Sequence, residues 1–368
     1  MNIAIFSPNK NPYSETFIQA HKNFLKGNIF YYYGDGSNIN LEGDVDFLSS
    51  NRRRYLKIKK NIFGLPQDYI HESKILRSLY RNKIEVILIE YGTHASDLLP
   101  ILKKAKLPFV VHFHGYDASV HEIIKQYGNY KELFNLSKYI IVVSKKMYID
   151  LNKLGCPEFK LVYNTSGPHS DFSKIKTNCT QLQFISVGRF VDKKAPYYTI
   201  IAFKKVVEKY PNSKLLMAGD GPLFNVCINL VKYYHLEKNI KFLGIISPDE
   251  FKKLLTHSLA FVQHSITAMN GDTEGTPVAI LEASAAGLPV IATNHAGIPD
   301  IIVNEKSGLL CEEHDVEGMA KNMLRLIEDP KLVKNLGEYG KENIMRNFSM
   351  KRHIDSLQKS LEQAILLF

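Results

Sequence analysis

The chain contains no run of 18 or more apolar residues, so nothing in its 368 positions reads as a membrane-spanning helix. Its first residues, Met-Asn-Ile-Ala-Ile-Phe-Ser-Pro, are too few and too uncharged for a secretory signal and read as a short buried strand, which places the expected protein in the cytoplasm. Cysteine is scarce. Cys156, Cys179, Cys227 and Cys311 are scattered without metal-like spacing, so free thiols are expected rather than disulfides or a zinc site. No internal repeat or low-complexity segment is present. What remains is 45% apolar, enough for large cores, and 368 residues suit two domains of about 170–190 residues each.

The pattern along the chain alternates strand and helix. Short segments apolar on both sides, as buried parallel strands are, occur at 3–6, 29–33, 86–90, 109–113, 139–143 and 160–163, with helices between them at 15–26, 70–81, 95–106, 123–133 and 145–154. Residues 164–180 are polar and turn-rich and mark a linker. A second series follows, with strands at 182–187, 214–218, 240–243, 260–263, 289–293 and 308–310 and helices near 196–210, 222–235, 249–256, 277–286, 315–328 and 331–346. The expected architecture is two doubly wound α/β domains, 1–165 and 166–348, facing each other across a cleft, with ligands at the carboxyl ends of the strands. A last helix, 349–368, carries apolar residues at Ile354, Leu357, Leu361, Ile365 and Leu366.

Charge is uneven. Residues 1–170 hold 23 Lys+Arg against 15 Asp+Glu, whereas residues 171–368 hold 24 against 22. Part of the excess lies in Arg52, Arg53, Arg54, Lys57, Lys59 and Lys60, interleaved with apolar residues. A solvated face and a surface that docks on anionic lipid both fit this stretch. Nucleic-acid binding is set aside, because no recognition motif accompanies the charge.

The most informative segment is the run 271–293, Gly-Asp-Thr-Glu-Gly-Thr-Pro-Val-Ala-Ile-Leu-Glu-Ala-Ser-Ala-Ala-Gly-Leu-Pro-Val-Ile-Ala-Thr. It reads as loop, helix and strand, with Thr276 as N-cap, Pro277 in the first helical position and Gly287 as the stop. Glu274 precedes the helix and Glu282 lies within it among Val278, Ala279, Ile280, Leu281 and Ala283. A carboxylate in so apolar a helix needs partners. Amides at a helix start suit a phosphate and carboxylates suit hydroxyls, so the segment points to a sugar phosphate. Elsewhere, Gly188 after a strand lets the chain approach a ligand closely, with Arg189 and Lys194 following. His112 and His114, two apart, share a strand face, so a metal pair must be weighed there.

Taken together, the segment from Glu274 to Glu282, the basic loop from Gly188 to Lys194, the turn Gly219-Asp220-Gly221-Pro222 and the strand end His112-Phe113-His114-Gly115-Tyr116-Asp117 resemble the signature segments of the family-4 retaining glycosyltransferases, of the kind acting in bacterial surface polysaccharide biosynthesis. The resemblance implies a GT-B fold whose final helix crosses back onto the N-terminal domain. It implies Arg189 and Lys194 as a diphosphate clamp, Glu274 on the transferred sugar, Glu282 on the ribose and His114 near the reacting centre. Gly188, Gly219, Gly221, Gly275, Thr276 and Pro277 would shape the donor site, and the backbone near Ile245 would hold the base. The implied substrates are a nucleoside-diphosphate sugar, with UDP favoured over GDP, and a glycan or lipid-linked glycan acceptor. No metal and no cofactor are implied.

The chain departs from that family in two places. Relatives often read Glu-Gly-Phe-Gly before a later proline, whereas here Pro277 follows directly; and the glycine-rich turn after the first strand is replaced by Ser7-Pro8-Asn9-Lys10-Asn11-Pro12-Tyr13-Ser14-Glu15-Thr16-Phe17. Ser14 and Thr16, with Tyr91 and His94 after the strand 86–90 and Asp117 beyond His114, are candidates for the acceptor side. No residue stands out as a covalent nucleophile, so the resemblance implies a front-face displacement. A sugar-nucleotide epimerase and a non-catalytic sugar- or partner-binding relative are the rival readings. Peripheral attachment to the inner face of the plasma membrane is the expectation if the basic stretch meets lipid.

Overall fold

Segments that are apolar on both faces must be covered on both faces, and the chain does this with two parallel sheets flanked by helices. The computed structural model describes residues 1–10, 15–44, 50–66 and 69–368. The N-terminal sheet contains β1 (Asn2–Ser7), β2 (Asn28–Tyr33), β3 (Asn40–Leu41), β4 (Val86–Glu90), β5 (Phe109–His112), β6 (Tyr139–Val142) and β7 (Leu161–Tyr163), in the order β3-β2-β1-β4-β5-β6-β7. The C-terminal sheet contains β8 (Gln183–Val187), β9 (Lys214–Ala218), β10 (Ile240–Gly244), β11 (Ala260–Gln263), β12 (Val290–Thr293) and β13 (Gly308–Cys311), in the order β10-β9-β8-β11-β12-β13. Both orders reverse beside their first strand, and that reversal opens a crevice at the carboxyl edge where the two sheets face each other.

Most expected elements appear within a residue or two. The differences are local and have local causes. The helix anticipated over 95–106 is two helices, Gly92–Asp97 and Leu99–Ala105, because Pro100 cannot continue the hydrogen-bond ladder of the first. The one anticipated over 123–133 is split by Gly128 and by Asn129 and Tyr130, both at positive φ. The basic stretch is a helix, Ser50–Ile62, and β3 pairs antiparallel at the sheet edge. The polar span after β7 is ordered sooner than its composition suggests: by Ser170–Lys174 the chain is already on the second sheet, with Phe172 buried against Phe251 and Phe261.

The last helix, Met350–Leu366, returns to the first domain. Ile354, Leu357, Leu361 and Ala364 pack with Ile3, Ile5, Val86, Leu88, Val110 and Ile141 on one face of the N-terminal sheet. Each such side chain taken from water contributes about 1.5–3 kcal/mol, so the helix belongs to this domain by packing. Its start lies against the outgoing passage between the domains. Arg352 Nη2 donates to Thr165 O at 2.9 Å and to Thr165 Oγ1 at 2.8 Å, and Asn164 Nδ2 donates to His353 O at 3.0 Å. All four cysteines are free thiols. Among the described residues no helix is long and apolar enough to cross a membrane.

Candidate active site

Between the facing strand ends lies a cleft of about 890 Å³, lined from both domains. From the first domain come Thr16 and Phe17 at the start of the helix Thr16–Phe24, Tyr91 after β4 and His114 after β5; from the second come Gly188, Arg189, Lys193 and Lys194 after β8, Ile245 after β10, and Glu274 to Glu282. Residues that sequence reasoning selected from four separate segments thus meet in one space.

Arg189 is exposed on the cleft wall and makes no ion pair among the described residues. Lys194 is mostly buried; its Nζ stands 3.0 Å from Glu274 Oε1 and 3.3 Å from Gln263 Oε1. Burial pushes the Lys194 ammonium below its ordinary pKa against the pull of Glu274. Burial alone would raise Glu274, but Lys194 and Lys193 reverse that and hold its carboxyl below the usual range. The pair is therefore ionised and poised beside open space. Lys193 does other work: its buried Nζ donates to Asp272 Oδ1 at 2.9 Å and to Thr273 O at 3.1 Å, pinning the loop that carries Glu274. Glu274 N–H donates to His295 Nε2 at 3.1 Å, and His295 Nδ1 is held by Glu313 Oε1 at 2.5 Å.

Glu282 sits on the helix Val278–Ala286, whose surroundings are apolar as the sequence suggested. Its carboxyl has neither ion pair nor hydrogen bond among the described residues, and burial pushes its pKa up to about 8. The partner that such a group requires is missing from the protein and the cleft is where one would enter. Gly287 ends the helix at φ 87°, as expected. Thr276 does not cap it. Pro277 occupies the cap position, and Thr276 Oγ1 donates instead across the cleft to Val143 O, so the hydroxyl ties the two domains together. The loop 273–276 meets the first domain so tightly that a Cβ on Gly275 would lie 2.3 Å from His114 O.

His114 is held on three sides. Its Nε2 is 2.8 Å from Glu90 Oε2, its ring stacks on Phe17 at 4.4 Å, and Tyr91 lies at 4.6 Å. Tyr91, at φ 73°, has an uncommon backbone conformation for a bulky residue, and its Oη donates to Glu15 Oε1 at 2.8 Å. Among the described residues two groups contain donors close enough to share an ion: His21, His112 and His353, and Glu90, His112 and His114.

Three candidates stand apart from the cleft. Asp117 is wholly buried and spends both oxygens on backbone: Oδ1 accepts from the N–H of His114 and Gly115, and Oδ2 from that of Gly92. It shapes the turn and has no oxygen left for an acceptor. His94 is buried off the cleft, and burial pushes its pKa down to about 4. Gly221 is partly exposed and does not line the cleft; a Cβ there would meet Phe190 O at 2.5 Å. Ser14 lies outside the described residues.

Sequence reasoning missed Glu90, His21 and His353, and the His295–Glu313 support. Glu90 carried one signal, a lone acidic residue closing the apolar strand Val-Ile-Leu-Ile-Glu at its carboxyl end.

Residues 169–343 match the family model for glycosyl transferases group 1. This part of the chain is similar to that family. It spans the whole second sheet and every residue of the cleft wall from Phe172 to Glu282. The chain is similar to the putative colanic acid biosynthesis glycosyltransferase WcaL of Escherichia coli, 33% identical over 215 residues, or 57% of this chain and 53% of the relative. It is also similar to the amylovoran biosynthesis glycosyltransferase AmsK of Erwinia amylovora, 30% identical over 249 residues, or 66% of this chain and 61% of the relative. The matches thus span little more than half the length of these relatives. The whole fold is GT-B: the structure of Anabaena HepE in complex with UDP-glucose superimposes with a TM-score of 0.77 over all of both chains at 14% identity.

Proposed function

We propose that the chain is a family-4 retaining glycosyltransferase that moves a hexosyl or N-acetylhexosaminyl group from a UDP-sugar to a hydroxyl of a glycan or lipid-linked glycan. The observation that carries this reading is the shared cleft, which exposed Arg189 lines together with the paired Lys194 and Glu274, while Glu282 faces the same space without a partner among the described residues. The relatives named for colanic acid and amylovoran biosynthesis support an envelope polysaccharide as the product, and the HepE complex supports UDP as the nucleotide.

In this reading the diphosphate lies along Arg189 and Lys194 and Glu282 accepts from the ribose hydroxyls. Glu274 accepts from the sugar. The bond between the anomeric carbon and the diphosphate oxygen breaks as the acceptor oxygen approaches from the same face. The departing phosphate oxygen takes the acceptor proton, and the fixed cations stabilise its growing charge more in the transition state than in the ground state. The Lys194–Glu274 pair keeps the ammonium charged and in place before the donor arrives.

The acceptor side has a surface to match a lipid-linked substrate. On the helix Ser50–Ile62, Tyr55, Ile58 and Ile62 lie three and seven positions apart on one exposed face, Phe63 follows, and Arg53, Arg54 and Lys57 are exposed beside them. An apolar stripe edged by cations fits the boundary of an anionic bilayer. Incubating the protein with UDP-sugars, with and without an undecaprenyl-diphosphate-linked sugar, tests the reading. Acceptor-dependent release of UDP with retention at the anomeric carbon is expected; sugar interconversion without an acceptor would make the chain an epimerase, and binding without turnover would leave a non-catalytic relative.

A further inference from the structure

Behind His114 lies a group of side chains that sugar transfer as described does not use. Glu90 ends β4, pairs in register with His112 of β5 and is fully buried. One carboxylate oxygen meets His114 Nε2 at 2.8 Å and the other meets His21 Nδ1 at 2.7 Å, while His21 Nε2 stands 2.8 Å from His353 Nε2. His21 comes from the helix Thr16–Phe24 and His353 from the last helix, so four distant stretches of chain converge here. An isolated carboxylate in such a place would be strongly disfavoured. Burial does push Glu90 upward, but His21 and His114 outweigh it and hold its carboxyl well below its ordinary pKa.

Between His21 and His353, distance separates a proton from a metal ion. Two nitrogens bound to one tetrahedral zinc at about 2.0–2.1 Å stand roughly 3.3 Å apart. The His21–His353 separation of 2.8 Å is a hydrogen-bond length, with one N–H between two rings. Glu90 accepts from two imidazoles at once, and His112 Nδ1 stands beside them, 3.1 Å from His114 Nε2 and 3.3 Å from its Nδ1.

We propose that Glu90 is the positioning residue of His114, with His21 and His353 fixing Glu90 in turn. The carboxylate draws the Nε2 hydrogen of His114 inward, which sets the ring's tautomer and leaves Nδ1 as a hydrogen-bond acceptor. Phe17 and Tyr91 hold the faces of the ring while Glu90 holds its edge. Through His353 the same network is continuous with the last helix, whose start is bonded to Thr165 and Asn164 at the passage between domains. The consequence for turnover rests on the glycosyltransferase reading; the assignment of the tautomer does not.

Nitrogen-15 spectra of the histidine rings and steady-state kinetics on the full chain test this together. In the wild type, His114 is expected as the Nε2–H tautomer; in Glu90→Gln it becomes a mixture, kcat falls about 10–100-fold and donor KM changes by less than about threefold. His353→Gln shifts both readouts in the same direction by less. A folded Glu90→Gln variant with an unaltered His114 tautomer would overturn the assignment, as would stoichiometric metal in the purified wild type by mass spectrometry. If the chain transfers no sugar from any donor, the ring spectra still decide whether Glu90 sets His114.

Discussion

The two halves of the cleft hold their charged groups in different ways. On the second domain, Arg189 and Lys194 are five positions apart, Glu274 and Glu282 eight, and each pair sits on one loop or one loop-and-helix unit at the end of a strand. On the first domain, the ring of His114 is held by residues from positions 17, 90 and 91, with 21 and 353 behind them. The first arrangement is local and opens to the cleft, ready for a ligand to complete it. The second is long-range and closed on itself. A site that binds a mobile, highly charged group needs charges left over, whereas a site that must hold one ring in one orientation needs them all spent.

That contrast can be broken most sharply at the clamp. Arg189→Ala and Lys194→Ala should each lower kcat about 10²–10³-fold, because they remove stabilisation of a charge that develops during reaction; Arg189→Ala should leave folding intact, whereas Lys194→Ala also strips buried Glu274 of its partner and should lower the melting temperature. Single-turnover rates measured beside thermal unfolding check this, and near-normal rates in both would remove the phosphate role. Next in size is Glu282→Gln, which should weaken binding of bare UDP about 10-fold, the worth of one or two hydrogen bonds between neutral groups. Glu274→Gln should weaken the intact UDP-sugar and spare UDP. Calorimetry with both ligands separates the two carboxylates, and equal UDP affinity in the Glu282 variant contradicts the ribose contact.

On the first domain, each neutralisation among Arg53, Arg54 and Lys57 should lower partitioning onto anionic vesicles about fivefold, the equivalent of ~1 kcal/mol per charge. Raised salt should act likewise, while donor binding on the other domain is unchanged. Vesicle sedimentation indifferent to both treatments would leave the charge merely solvated. The smallest effect concerns stability. Because burial pushes Glu282 up to about 8, the folded chain holds that proton more tightly than the unfolded one, so the contribution of Glu282 is greatest at low pH and declines as pH rises toward 8. The melting temperature of Glu282→Gln relative to wild type should therefore rise by a few degrees between pH 5 and 8. A flat or falling difference across that range argues against a buried, unpartnered carboxyl.

The same contrast explains how much was legible in the sequence. Strand and helix alternation gave both sheets, since a buried parallel strand announces itself by composition alone, and the second domain's half of the cleft was readable because its residues are neighbours in the chain. Thr276 misled because its type fits a cap, yet its hydroxyl is used by Val143 of the other domain, a contact that no local pattern encodes. Asp117 misled for the opposite reason: it lies in a recognisable segment, but a short carboxylate followed by a tight turn is consumed by its own backbone. Glu90, His21 and His353 are invisible to spacing, being brought together only by strand order and by the return of the last helix.

That return has a mechanical consequence. Because the final helix is part of the first domain, the second domain is an insertion attached by two adjacent strands of chain, near Thr165 and near Met350, packed so closely that a Cβ on Gly167 would lie 2.4 Å from Met350 N. Two connections side by side permit swinging about the line that joins them and resist rotation about axes perpendicular to it. Opening about that line would have to break the bond from Thr276 Oγ1 to Val143 O, and closing would return the carboxylates and cations to the same register; a protease that severs one connection leaves the halves attached by the other.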